Sequence, residues 1–423
     1  MDPNQTPYLI VGGSAAGMAA AHAIRKRDPD RPITVLTDEP DKPYFRPMIP
    51  FVVSGKKNIL DMAMEGAGPY TQKNICVETG HCVISVDTSA RQVSLNNGIS
   101  MAYEKILFAT GSRPYIPPDI QGTQTQGVFA LRTLAHARQR AARAADTHHA
   151  VLIGGGLLNL KAAFALLELK IKVTLVVFSP EVLSQLMDPE DAALIRKALD
   201  DAGLEIKTGT AAIGIRSDHT GVTGVVLDDN SEIACEMVCI GKGVRPNVEF
   251  LEGSGIKLEK GIVADRHTAC SQPDTFAAGD VAVTHDPISG EPVTTALWTN
   301  AVEMGRCAGL NMSGLPTAYS GTFGILNATQ VANTPFVSMG IVHTRELDCE
   351  IHCHTTRMSH RKMVFSPDGD RLMGMVLVGD ISNAGLYRHV IQEKMAVGRF
   401  KREIIHHALH WGHMIRKKHV KNS

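Results

Sequence analysis

The sequence predicts an α/β protein: two Rossmann-like, three-layer units of the dinucleotide-binding kind, followed by an α+β domain. Three observations carry this. A short apolar run, a glycine turn and a proline-free helical stretch open the chain at YLIVGGSAAGMAAAHAIRKR. The same order returns at AVLIGGGLLNLKAA, and from about residue 320 the pattern changes to short strands around a Pro-Asp-Gly turn.

At 423 residues the chain exceeds what one hydrophobic core supports, so several domains are expected. We place a first domain in two stretches, 1–118 and 246–318, with a second inserted at 119–245. An α+β interface domain follows at 319–400, and a basic helix or tail at 401–423. Equal numbers of basic and acidic residues, 43 of each, argue against nucleic acid or an anionic membrane surface as partner. The start, MDPNQTPYLIVGG, has no basic stretch before its apolar run, and that run is too short for a signal peptide or a membrane span. A cytoplasmic protein is expected, and eight cysteines without a dense framework fit reduced thiols there.

Taken in order, residues 8–13 read as a strand ending in glycine, AAGMAAAHAIRKR as a helix and ITVL at 33–36 as a second strand. Alternating apolar and polar residues at 75–110 predict hairpin strands that close on KILFATGSRP. The second unit covers 150–177; a comparable β stretch then ends in EMVCIGKGVRPN, and FAAGDVA follows at 276–282. Strands on either side of the Pro-Asp-Gly turn and a helix beginning near Asn383 complete the prediction.

The first turn has the composition of a phosphate loop. Gly12, Ser14 and Gly17 stand at the three glycine positions of G-x-G-x-x-G, with Gly13, Ala15 and Ala16 between them. Small residues let the backbone approach a pyrophosphate at a helix N-terminus. Asp38 or Glu39, just past the second strand, can accept from an adenosine ribose hydroxyl.

ATGSRP at 109–114 and TFAAGDVA at 275–282 resemble the two flavin motifs of the pyridine nucleotide-disulfide oxidoreductase superfamily, and the likeness covers nearly the whole chain in the same order. The resemblance implies FAD in the first domain, with Asp280 of the Gly279-Asp280 turn on the ribityl chain and Ala109, Thr110 and Gly111 by the pyrophosphate. Val83 and Arg113 are counted with the FAD contacts. As an alternative, Asp280 would be a helix N-cap. PYFRPMIP at 43–50 is similar to the Y-x-R-P segment of ferredoxin and rubredoxin reductases, which puts Arg46 and Pro47 along the flavin. WTNA at 298–301 resembles the helix start behind the flavin's pyrimidine ring, so Trp298 joins the list; a core tryptophan is the alternative.

In the second loop, Gly154, Gly156 and Asn159 take the glycine positions, with Gly155, Leu157 and Leu158 beside them; Gly241 and Gly243 complete the nucleotide contacts. Where relatives often have glutamate this chain has Lys161, and Phe51 stands near the lysine position of ferredoxin reductases. Lys161 is therefore expected to supply the positive charge beside reduced flavin, and with Arg46 it forms the catalytic pair; an exposed helix lysine is the alternative. Val177 stands where an acid for the ribose is usual, and the following FSPE brings no arginine for a 2′-phosphate, so NAD(H) is favoured over NADP(H).

No cysteine precedes Cys76 and no C-x-x-C occurs, which argues against a redox disulfide. In DCEIHCH, strand alternation sends Cys349 and Cys353 to one side and His352 and His354 to the other, and Cys235 and Cys239 share a spacing of four, so no metal is expected. His406, His410 and His413 fall on one face of a helix if the basic tail is helical, a surface suited to an acidic ferredoxin-like subunit. Together these features imply an FAD-dependent NAD(H):acceptor oxidoreductase working with an external iron-sulfur protein or subunit, in a hetero-oligomer. The GGGLLNLKAA and VGDISNAGLY segments are similar to the NAD+-reducing flavoprotein subunits of 2-oxoacid dehydrogenases. The alternatives are a free-standing rubredoxin or ferredoxin reductase, an NADH oxidase, and, from another class, a flavin redox sensor or assembly protein.

Overall fold

The computed structural model describes residues 5–65 and 70–414. The chain forms two compact units: Met1–Gly154, Lys161–Thr174 and Ala212–Gly324 make the first, and Gly155–Leu160, Leu175–Ala211 and Ile325–Ser423 the second.

The first unit is built on a sheet of β1 (Gln5–Val11), β2 (Ile33–Thr37), β3 (Ile75–Thr79), β4 (Val83–Asp87), β5 (Gln92–Leu95) and β6 (Ser100–Phe108), in the order β3-β2-β1-β6-β5-β4, with strand Thr275–Ala277 also on β6. Within the run β3-β2-β1-β6 the strands pair in parallel, and Thr275–Ala277 joins β6 in the same sense, while β5 and β4 extend the sheet antiparallel. Parallel strands are covered on both faces, which is why β1 and β2 are nearly continuous apolar runs. Helix α1 (Ala15–Arg27) packs on helix Trp298–Met312 at a separation only small residues allow. A Cβ on Gly305 would fall 2.1 Å from the Ala16 carbonyl oxygen, and one on Gly309 2.5 Å from that of Ala20. Elsewhere in this unit, strand Met237–Ile240 lies in parallel between Val128–Phe129 and His149–Ile153, and Ser112–Pro114 pairs antiparallel with Val244–Pro246.

The second unit carries an antiparallel sheet in the order Leu326–Val331, Thr334–Gly340, Leu372–Val378, His360–Phe365, Glu350–Thr355. The Pro-Asp-Gly turn joins the strands ending at Phe365 and starting at Leu372, and helix Ala384–Gln392 begins just after Asn383, as the sequence predicts. Helix Pro189–Asp201 packs on this sheet and is fastened to it by buried charge. Lys362 Nζ donates to Asp188 Oδ2 at 2.5 Å, to Asp191 Oδ2 at 3.2 Å and to the Val342 carbonyl at 2.8 Å, while His360 Nε2 lies 2.8 Å from Asp191 Oδ1. Burying these groups is tolerable only because each ammonium proton has an acceptor. A single helix through His406, His410 and His413 does not form: the helix Lys401–Ile405 stops, His407 takes a φ of 59°, and a new turn starts at Trp411. Residues 415–423 of the basic tail lie outside the described ones. Among the described residues no helix is long and apolar enough to cross a membrane.

Candidate functional site

The first glycine turn is held closed by the protein's own backbone. Gly12, at φ 120°, could not carry a side chain, since its Cβ would lie 2.1 Å from the Ala109 carbonyl oxygen; a Cβ on Gly17 would lie 1.9 Å from that of Gly12. These two glycines bring β1, α1 and the Ala109-Thr110-Gly111 turn together at one point. Ser14 is the N-cap of α1 but makes no side-chain cap bond. Instead its Oγ accepts from Arg46 Nε at 3.0 Å, so the serine that replaces a glycine receives the Y-x-R-P arginine.

Arg46 is the hub of a wider set. Its guanidinium pairs with Glu39 and donates to the Arg132 carbonyl at 3.1 Å. Tyr44 Oη donates to the other Glu39 oxygen at 2.6 Å and accepts from the Leu134 N–H at 3.2 Å. Burial, with Glu39 alongside, pushes the Tyr44 phenol well above its usual range, so it stays a donor. Of the two acids after β2, Glu39 is the one bound into this set, whereas Asp38 is exposed. Phe45, before Arg46, rests its ring 5.8 Å from Trp298 at the start of its helix, and Pro47 opens the turn Arg46–Met48.

On the other side, Asp280 follows the positive-φ Gly279 after strand Thr275–Ala277, away from any helix start. Its Oδ2 accepts from Ser112 Oγ at 2.8 Å and from Arg132 Nη2 at 2.7 Å, while Arg132 Nε donates to the Ser112 carbonyl at 3.0 Å. Arg132 is a site residue that sequence reasoning missed. Its signal was the LRT after strand Val128–Phe129, a lone arginine in a loop. Asn247 clamps the neighbouring turn: its Nδ2 donates to the Thr110 carbonyl, and its own carbonyl accepts from Thr110 Oγ1, both at 2.9 Å. Arg113 points elsewhere and pairs with Glu249 at the exposed ribbon. Val83 heads β4 in the core.

This cradle fits FAD: glycines that admit backbone but no side chain, an arginine at a helix N-terminus, and a carboxylate held by a serine and an arginine. The second glycine turn has its residues in both units. Gly154 has a φ of 111°, and Gly241 N donates to the Ile153 carbonyl beside it, with Gly243 at φ 96°. In the other unit a Cβ on Gly155 would meet Val177 Cγ1 at 2.8 Å, but one on Gly156 would meet nothing within 4 Å. Asn159 is buried, Leu157 is partly buried and Leu158 is exposed. Glu181, past the strand that ends at Val177, is engaged by Arg196 at 3.4 Å and by the Val182 N–H at 2.8 Å. Lys161 is half-buried, forms no hydrogen bond or ion pair among the described residues, and burial holds its ammonium below the usual lysine range.

Residues 6–305 match the family described as pyridine nucleotide-disulphide oxidoreductase. Among characterised relatives, the epsilon subunit of NADH-dependent phenylglyoxylate dehydrogenase from Aromatoleum evansii is 29% identical over 391 residues, 91% of either chain. An NADH oxidase of Methanocaldococcus jannaschii is 27% identical over 421 residues, 92% of each. A rubredoxin-NAD(+) reductase of Ectopseudomonas oleovorans is 27% identical over 313 residues, 73% of this chain and 80% of its own. Of solved structures, an NAD-dependent persulfide reductase from A. fulgidus superposes with a TM-score of 0.88 at 24% identity, covering 92% of this chain and 77% of its own, a likeness of fold. With the cradle above, these matches show an FAD- and NAD(H)-dependent oxidoreductase, and the chain belongs to the pyridine nucleotide-disulphide oxidoreductase family.

Proposed function

We propose that this oxidoreductase exchanges electrons between NAD(H) and an external iron-sulfur protein or subunit, without a sulfur relay of its own. The observation that carries the reading is the chemistry of its thiols. No cysteine lies between Met1 and Cys76, so the segment along the flavin has none. Burial, the first cause in each case, raises the thiols of Cys76, Cys82, Cys235, Cys239, Cys270, Cys307 and Cys353 above their ordinary value. A relay cysteine needs the opposite, a thiolate stabilised in an electropositive site.

When bound, FAD takes electrons from NADH in pairs and passes them on singly; the protein contributes placement and charge. Gly12, Gly13, Ser14, Ala15, Ala16 and Gly17 would hold the pyrophosphate at the start of α1, with Arg46 over it. Asp280, fixed by Ser112 and Arg132, would accept from the ribityl hydroxyls, and Ala109, Thr110 and Gly111 would line the same edge. Gly154, Gly155, Gly156, Asn159, Gly241 and Gly243 would receive the nicotinamide dinucleotide. Lys161 would set its charge against reduced flavin. In this reading 1–118 and 246–318 form the FAD domain, 119–245 the NAD domain and 319–400 the interface domain. The relative from Aromatoleum evansii, an epsilon subunit of NADH-dependent phenylglyoxylate dehydrogenase matched over 91% of both chains, supports a role as a subunit of a 2-oxoacid dehydrogenase complex, where this chain would reduce NAD+ in the cytoplasm.

Native purification tests this. Iron-sulfur subunits that co-elute and are reduced by NADH through the chain are the expected result. A free, active protein that reduces added rubredoxin or ferredoxin would move the assignment to a stand-alone reductase. One that passes electrons only to oxygen would contradict it.

A further inference from the structure

Outside the flavin and nucleotide residues, the C-terminal sheet carries a cavity of about 310 Å³, lined by His352, Cys353, His354, Arg361, Ile405 and His406. It opens beside the edge strand Glu350–Thr355, next to His360–Phe365 and the end of helix Lys401–Ile405. Register places His354 directly across from Arg361, so the two side chains share one face of the sheet. Arg361 brings a permanent positive charge to this face, and the imidazole beside it carries an N–H donor.

Arg361 spends one N–H on the Ile405 carbonyl at 2.7 Å and forms no ion pair among the described residues. The carboxylate on the same strand, Glu350, is already taken: Lys401 Nζ and His352 Nε2 each lie 2.6 Å from one of its oxygens. No carboxylate lines the cavity. Nor do three His, Cys, Asp or Glu side chains among the described residues come together as a metal site, so the ring nitrogens are not gathered for a cation.

We propose that this cavity binds a phosphate-type oxyanion, either free phosphate or the phosphate of a nucleotide. A planar guanidinium offers two parallel N–H donors to such an oxyanion, and the imidazoles of His354 and His406 can each add one N–H donor. The volume is at the lower end of those that take small organic ligands, and leaves room beyond a bare phosphate.

The test uses the full, FAD-loaded chain at pH 7, with the thermal midpoint followed in sodium phosphate and in sodium chloride of matched ionic strength. The expected result is an increment with phosphate over chloride, since a ligand of the folded state stabilises by mass action, and the loss of that increment in Arg361→Gln. ADP provides the second arm. Because it can also enter the nucleotide loop, the readout is the difference between wild type and Arg361→Gln. A larger difference with ADP than with phosphate assigns the cavity to a nucleotide, and an equal one assigns it to free phosphate. Flavin content and NADH bleaching stay unchanged in the variant. Should Arg361→Gln fail to fold, the double variant His354→Gln, His406→Gln carries the test by isothermal titration with inorganic phosphate, with an expected affinity loss of at least tenfold. No increment over chloride in wild type overturns the proposal, as does undiminished binding in the variants.

Discussion

The two glycine turns share a positive-φ first glycine, Gly12 at 120° and Gly154 at 111°, and differ at the third position of the motif. In the first, Gly12 and Gly17 are required by the protein itself, whose carbonyl oxygens would lie 2.1 and 1.9 Å from an added Cβ. In the second, a Cβ on Gly155 would meet Val177 Cγ1 at 2.8 Å, but Gly156 has free space around it and Asn159 fills the third position. The first turn is a cradle closed by packing and by the Arg46, Glu39 and Ser14 bonds, suited to a cofactor that stays. The second is less tightly closed at its second and third positions, where Gly156 has open space and asparagine is accommodated. In the proposed reading the first turn holds the resident flavin and the second receives the nicotinamide dinucleotide.

The largest expected effect comes from breaking the closed turn. Gly17→Val must push α1 off β1 at a cost of about 1–3 kcal/mol or more for overpacking, and the variant should purify without flavin, read as visible absorbance per protein. Next is Asp280→Ala, which leaves Arg132 and Ser112 without their shared acceptor. Loss of charge-assisted hydrogen bonds is worth about 1.5–3 kcal/mol, or roughly a 10- to 100-fold weaker FAD Kd, measurable by flavin release on dilution. Gly156→Ala sharpens the contrast from the other side. Flavin content and thermal midpoint should hold, within roughly 0.5 kcal/mol, while the KM for NADH rises; a loss of flavin instead would show that the second turn is also structural.

The smallest effect concerns Lys161. Its folded pKa lies below the ordinary 10.5, so the folded chain binds fewer protons than the unfolded one over the interval between the two values. Stability therefore rises with pH through that interval, and at every lower pH the fold carries the desolvation cost of a buried ammonium. Lys161→Met should raise the thermal midpoint at neutral pH, with the gain shrinking as pH approaches 10.5, and should shift the flavin reduction potential. A raised midpoint with an unmoved potential would leave Lys161 without an electrostatic role at the flavin.

Local rules made the strands, the α1 turn and the Asn383 helix start readable, because glycine, chain direction and period act within a few residues. Partners distant in sequence were not readable. Ser14 looks like a departure from a glycine motif until Arg46, 32 residues on, is seen to use it. Asp38 and Glu39 are equivalent on paper, and only Tyr44 and Arg46 select Glu39. Arg132 carries no motif at all, yet its partner Asp280 lies 148 residues away. In the tail, histidine spacing suggested one helix, and spacing says nothing of the left-handed His407 that interrupts it.

The central claim, a tightly held flavin reduced by a transient nicotinamide, is tested most directly by anaerobic titration of the purified chain with NADH under a spectrophotometer. The account predicts a yellow protein whose visible band bleaches with stoichiometric NADH and returns when an iron-sulfur acceptor is added. A colourless polypeptide that stays colourless after incubation with FAD would contradict it.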